Sequence, residues 1–330
     1  MQSFHRVLIL SVAASIFVAA PFCFAADKSG AGVQITELTN RLKIELNGEL
    51  FSEYYFADVP PHFLYPLLGP GGLPMTRDYP MKEPAGEEHD HPHHRSVWFA
   101  HGAINGIDFW TERKDCGKTL HVAFDEVKSG SEVGVIKSRN RWVAPDGKVI
   151  CTDSRIVRIY NPRAKKERMF DFEITLHASH GELVFGDTKE GTMAVRVNET
   201  MKLKAKSGPG GHIVQNTGVK DDAAWGKRAD WCDYYGPVQG KTVGIAIFDN
   251  PQNPRHPTWW HVRDYGLFAA NPFGKHDFEK LSDKTAGELK VPSGSDVTFR
   301  YRFYLHEGDA KEAKVAAKFS EYVSQVSGRK

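Results

Sequence analysis

The densest polar run in the chain is Glu87-Glu88-His89-Asp90-His91-Pro92-His93-His94-Arg95, with His101 shortly after it. Imidazoles this close to carboxylates suit three kinds of chemistry. His91 and His93, with His94 beside them, are the right donors for a divalent transition metal. Alternatively, His94 next to Arg95 can serve as a general acid or base, since imidazole titrates near neutrality. The third reading is a loop whose histidines satisfy backbone groups. The spacing matches no named ligand motif such as His-Glu-x-x-His. Pro92 excludes a regular helix or a central strand, so the cluster belongs on a loop that feeds the strand-like Ser96–Ala100. If His94 is catalytic, replacing it with Ala should abolish turnover and leave the fold intact.

A second dense region runs from Trp225 to Phe273 and holds four of the seven tryptophans. Arg228, Asp230, Trp231, Tyr234, Trp259, Trp260, His261, Arg263 and Asn271 all fall within it. Aromatic faces flanked by Arg, Asp and His suit a sugar, whose C–H faces stack while its hydroxyls take hydrogen bonds. The rival reading is a Trp-rich core with surface ion pairs. Between the two regions, Gly186-Asp187-Thr188-Lys189-Glu190-Gly191 reads as a turn before a strand. Glu190 is a candidate catalytic carboxylate there, and Asp187 reads as a solvated turn residue.

The elements that position these residues are strands. Leu42, Ile44 and Leu46 alternate with Arg41, Lys43 and Glu45; Phe170 to Ala178 and Val297 to Leu305 alternate in the same way. Period-two patterns of this kind mark half-buried strands. Turn pairs recur between them, and Asn47-Gly48 and Asp146-Gly147 are the best hairpin signals. One helix is expected, over 309–326, with Asp309 and Glu312 as a capping box. The pattern predicts an all-β fold: a large antiparallel β-sandwich over 26–330, in one domain, closed by a C-terminal helix.

The 330 residues carry 43 Lys and Arg against 41 Asp and Glu, a formal charge of +2 that gives nucleic acid no electrostatic handle. Residues 1–25 read as a signal peptide: a short basic start, an apolar run from Val7 to Ala20, then small residues around Ala25. The run falls short of the roughly 20 residues a membrane span needs. The mature chain is therefore expected to be exported, periplasmic or extracellular, without stable membrane insertion. Cys116, Cys151 and Cys232 then remain, enough for one disulfide at most.

Several stretches together resemble the secreted bacterial family known as PmoA-like, or "methane oxygenase PmoA". They are Leu64–Pro70, Asp90–Arg95 with Trp98–Gly102, Gly106–Trp110, Gly191–Ala194, and Trp259–Gly266 with Asn271–Phe273, and the likeness spans about residues 35–306. The family label implies a metal-dependent oxidoreductase using His91, His93 and His94. The family's all-β character is similar to the large sandwiches of galactose-mutarotase type, which makes a supersandwich of that type the fold the resemblance implies.

The residues themselves favour an exported enzyme that cleaves glycosidic bonds, a hydrolase or a lyase. His94, Glu190, Asp230 and His261 would be its acid/base groups. Arg95, Arg228, Trp231, Tyr234, Trp259, Trp260, Arg263 and Asn271 would hold a carbohydrate or other small polar substrate. No cofactor is expected, a divalent metal at His91 and His93 being the alternative. A non-catalytic glycan-binding module is the other rival.

Overall fold

The computed structural model describes residues 30–328, so the expected signal peptide lies outside the described residues. Every strand pairing among them is antiparallel. A nine-stranded sheet runs in the order Val33–Glu37, Arg41–Leu46, Glu49–Tyr55, Phe63–Leu64, Val97–His101, Gly191–Arg196, Leu267–Asn271, Thr258–Val262 and Arg228–Ala229. An eight-stranded sheet follows His212–Gln215, Trp231–Val238, Lys241–Asp249, Asp296–Glu307, Glu167–His177, Val149–Tyr160, Val133–Val143 and Lys118–Lys128. Their inner faces meet through aromatic rings. Phe99 of the first sheet lies 6.2 Å from both Phe172 and Phe299 of the second, and Phe51 lies 6.0 Å from Phe170. The large antiparallel sandwich read from the alternation is the fold.

The turn chemistry follows the sequence closely. Asn47 (φ 52°) and Gly48 (φ 83°) join two strands as a two-residue loop with both residues left-handed, the geometry that matches strand twist. The capping box forms too: Asp309 Oδ1 accepts from the Glu312 amide at 2.8 Å, and Glu312 Oε2 accepts from the Asp309 amide at 3.1 Å. It closes a turn ahead of the helix, however, and the regular helix spans Val315–Ser327. Its Tyr322 and Phe319 cover the outer face of the eight-stranded sheet at Phe248. A second, five-residue helix, Lys275–Glu279, was not legible as a period. Among the described residues no helix is long and apolar enough to cross a membrane. The three cysteines are buried free thiols.

Strand alternation also settles what lies on the outer face of the nine-stranded sheet. In Val97–His101 the core takes Val97 and Phe99, leaving Trp98 and Ala100 outside. Register then places Ala194 opposite Trp98 and Ala269, Thr192 opposite Ala100, His261 opposite Ala269, and Trp259 opposite Asn271. Successive side chains point to opposite faces, so Arg196, Leu267 and Arg228 share that outer face.

Candidate active site

Small residues in the middle of that face, Ala100, Ala194 and Ala269, let bulky groups from the flanking loops pack down on it. Trp98 and Trp110 meet at 5.1 Å, and the His94 ring stacks on Trp98 at 5.2 Å. His94 is 1% exposed. The loop before it is pinned by charge. Asp90 accepts two hydrogen bonds from Arg196 Nη2, at 2.8 and 2.9 Å, another from Arg77 Nη1, and a fourth contact from His91 Nδ1. Arg77 and Arg196 have no exposed surface. Burial alone would push the Asp90 carboxyl up, but the His91 bond and the charges of Arg196 and Arg77 outweigh it and hold it well below the ordinary carboxylate range. Arg77 also donates to the carbonyls of Glu88, Asp90 and His91, fixing the loop backbone.

The loop meets the second dense region through one turn. The ring of His91 lies parallel to that of Tyr265 at 5.2 Å, and Tyr265 has Arg196 at 5.0 Å and Arg263 at 5.4 Å. Arg263 also lies over Trp225, at 5.9 Å. The two segments singled out in the sequence therefore share a face. The residues that join them are Tyr265, Arg263 and Trp225 rather than Trp259 and Trp260.

Glu190 belongs to the same patch. It precedes the Gly191–Arg196 strand, and its charge is felt at both His93 and Tyr265. The turn that carries it is fixed from beneath. Asn271 Nδ2 donates to the carbonyls of Thr188 (3.0 Å) and Lys189 (2.9 Å), and His261 Nδ1 donates to Lys189 O at 2.7 Å. Glu190 remains 37% exposed and pairs with Lys189 at 3.0 Å. His93, half-buried, is lowered to about 4 by burial and by His91, with Glu190 and Asp108 pulling it partly back. It is a neutral imidazole at pH 7.

Several expected site residues have other duties. Trp260 is fully buried in the core with its indole N–H on Ala229 O, so it offers no stacking surface. Trp231 packs among Phe248, Tyr304 and the C-terminal helix, on the far side of the sandwich. Tyr234 is a core residue whose hydroxyl ties Leu203 N to Arg263 O. Trp259 is 4% exposed, bonded to Glu279 and covered by Arg228, which spends its own donors on the carbonyls of Arg255 and Pro257. Asp230 follows the Arg228–Ala229 edge strand, four strand steps from Val97–His101 or about 19 Å, and is bonded to Asn216. The imidazole beside it is that of His256, at 3.3 Å, rather than one of the histidine loop. His261 and Asn271 support the Glu190 turn instead of facing substrate. Arg95 is held in a two-pronged pair with Glu112, at 2.6 and 2.7 Å. Asp187 is a buried staple rather than a solvated turn residue, accepting from the amides of His276 and Gly287. Burial of His94 beside two cations makes it a poor proton carrier as well.

His91 and His93 rings sit edge to face at 5.8 Å, with His91 Nδ1 committed to Asp90. Among the described residues, no group of three or more His, Cys, Asp or Glu is placed to hold a metal ion. What sequence reasoning missed is Arg77, Arg196, Tyr265 and Trp225. Trp225 and Tyr265 lay inside the dense Trp225–Phe273 region without being picked out as site residues, and Arg196 left a trace as a charge at the end of the apolar Met193-Ala194-Val195 run.

No curated protein matches the chain. The expected kinship with the PmoA-like family is overturned, because the family model that matches is a different one. Residues 41–320 fit the model described as Family of unknown function (DUF6807), a stretch covering most of the chain, and the protein belongs to that family.

Proposed function

We propose that this patch is the active site of an exported enzyme that hydrolyses glycosidic bonds, with His93 and Glu190 as its working groups. His93 is neutral at pH 7 and only half-buried, so its lone pair can take a proton from an attacking water. Glu190, paired with Lys189 at rest, would take up a proton from solvent and give it to the leaving glycosidic oxygen. One C–O bond forms and one breaks, and the two residues exchange protons with solvent to reset. Tyr265 and Trp225 are the aromatic surfaces beside them. The observation that carries this reading is that one sheet face gathers a partly exposed imidazole, His93 against Trp110 at 6.4 Å, and a partly exposed carboxylate, Glu190, whose backbone is hydrogen-bonded to Gly102 at the end of the Val97–His101 strand.

The deciding experiment incubates the purified protein with a broad panel of polysaccharides and follows new reducing ends, with Glu190→Gln in parallel. Products from the wild type and none from the variant support the reading. Saturable glycan binding without products would favour the binding-module alternative, and a product bearing a new C=C bond would mark a lyase.

A further inference from the structure

Beside the Arg263–Gly266 turn lies a surface depression of about 260 Å³, lined by Asp222, Trp225, Val262, Arg263 and Asp264. Its polar groups are committed unevenly. Lys204 holds both carboxylates, Asp264 at 2.7 Å and Asp222 at 3.5 Å. Among the described residues Arg263 has no such partner: its guanidinium lies against the rings of Trp225 and Tyr265, which fix its plane and leave its N–H edges available. The His261 ring meets Trp225 at 6.5 Å. His261 is 2% exposed, and since its Nδ1–H donates to Lys189 O, the neutral ring keeps a lone pair on Nε2. That Nε2, and the Trp225 indole N–H, are buried and unpartnered among the described residues. Native proteins rarely leave such groups idle.

We infer that this depression is a sugar subsite and that it takes a neutral hexopyranose. The inference rests on the carbohydrate reading above and extends it by naming the sugar class. An aromatic face, a guanidinium edge and an indole donor match a ring that offers C–H faces together with hydroxyls that accept hydrogen bonds. The charge lining decides against an acidic sugar. Arg263 supplies the one positive charge of the lining and Asp222 and Asp264 two negative ones, which Lys204 outside the lining pairs, so a uronate would meet no net attraction and two carboxylates. Tyr265 stands between the depression and the patch, 5.4 Å from Arg263 on one side and stacked on His91 at 5.2 Å on the other.

The test is a titration of the full chain with methyl β-D-glucopyranoside, methyl β-D-galactopyranoside, methyl α-D-mannopyranoside and D-glucuronate, read by the indole N–H resonances of its tryptophans. The Trp225 signal is assigned by its disappearance in Trp225→Phe. At least one neutral glycoside should move that signal saturably, and Arg263→Gln should weaken its binding roughly tenfold. A Trp225 signal unmoved by all three neutral sugars, or moved only by glucuronate, overturns the inference. Failure here is distinguishable from failure of the cleavage reading. Polysaccharide cleavage with an unmoved Trp225 removes the subsite alone; a moving Trp225 without cleavage of any polysaccharide removes the enzyme alone.

Discussion

Nη1 of Arg196 stands 3.1 Å from Nδ1 of His94, and a guanidinium can only donate. The imidazole must therefore keep its lone pair on Nδ1 and carry its proton on Nε2. Burial, then the charges of His93, Arg196 and His91, push the ring well below the usual histidine range, so it stays neutral. Ring-nitrogen NMR of the wild type should find His94 as the neutral Nε2–H form from about pH 5 to 8. Arg196→Met should free the tautomer and leave Asp90 short of one cation, at a cost of about 3 kcal/mol. A proton found on Nδ1 in the wild type would refute the lock.

The same contact revises what His94→Ala does. A ring with 1% exposure leaves a cavity when truncated, and Arg196 loses its acceptor. Urea unfolding should show a loss of about 2–4 kcal/mol. Unchanged stability would mean that the packing around Trp98 and Trp110 does not depend on this ring.

How much of this was legible in the sequence depends on what each residue answers to. The strands were legible because a two-residue period is a local property: Leu42, Ile44 and Leu46 need only a core on one side. Asn47-Gly48 was legible because a left-handed turn selects its own residues. The histidine loop and Glu190 stood out as polar groups that a core would reject. Composition could not say which tryptophans reach a ligand. Trp259 and Trp260 look alike in sequence, yet alternation sends one to each face of the sheet and loops then cover the outer one. Arg77 and Arg196 stayed hidden because they lie 119 residues apart and acquire meaning only when Asp90 comes between them.

The tryptophans give a direct comparison. Trp260→Ala empties a fully buried site and should cost about 3–5 kcal/mol. Trp225→Ala, at a half-buried surface position, should cost about 1 kcal/mol. Thermal unfolding of the two variants checks the order. Equal losses would place Trp225 in the structural core and count against its role beside Arg263.

Acid should weaken the fold over a defined window. Burial lowers His101 to about 4, His93 to about 4 and His261 to about 3, and drives His62 and His94 well below the usual value. Each binds a proton more readily when unfolded, so stability rises with pH wherever the unfolded chain is the better proton acceptor. The contribution is complete above the ordinary histidine value near 6.5 and is lost as pH falls from there towards 3. Urea midpoints between pH 7.5 and 4 should fall steadily. A flat profile would show that these imidazoles are solvated.

Glu190→Gln separates chemistry from architecture more cleanly than any change in the histidine loop. The side chain is 37% exposed and among the described residues its only ion pair is the one with neighbouring Lys189, whereas the turn beneath is held by backbone carbonyls that Asn271 and His261 engage. Glutamine keeps the shape and the turn but can neither give nor take a proton. The expected result is a fall in kcat of about 10²–10⁴ on whichever polysaccharide the wild type cleaves, with KM and the melting temperature close to wild type. Asn271→Ala should behave differently: it frees the Thr188 and Lys189 carbonyls and the Phe273 and Gly274 amides together, so stability and kcat should fall together. If Glu190→Gln instead lowers the melting temperature as Asn271→Ala does, the carboxylate is a strut of the turn. If it lowers neither stability nor kcat, the working carboxylate lies elsewhere on the face, and Asp108, whose charge His93 also feels, becomes the residue to replace.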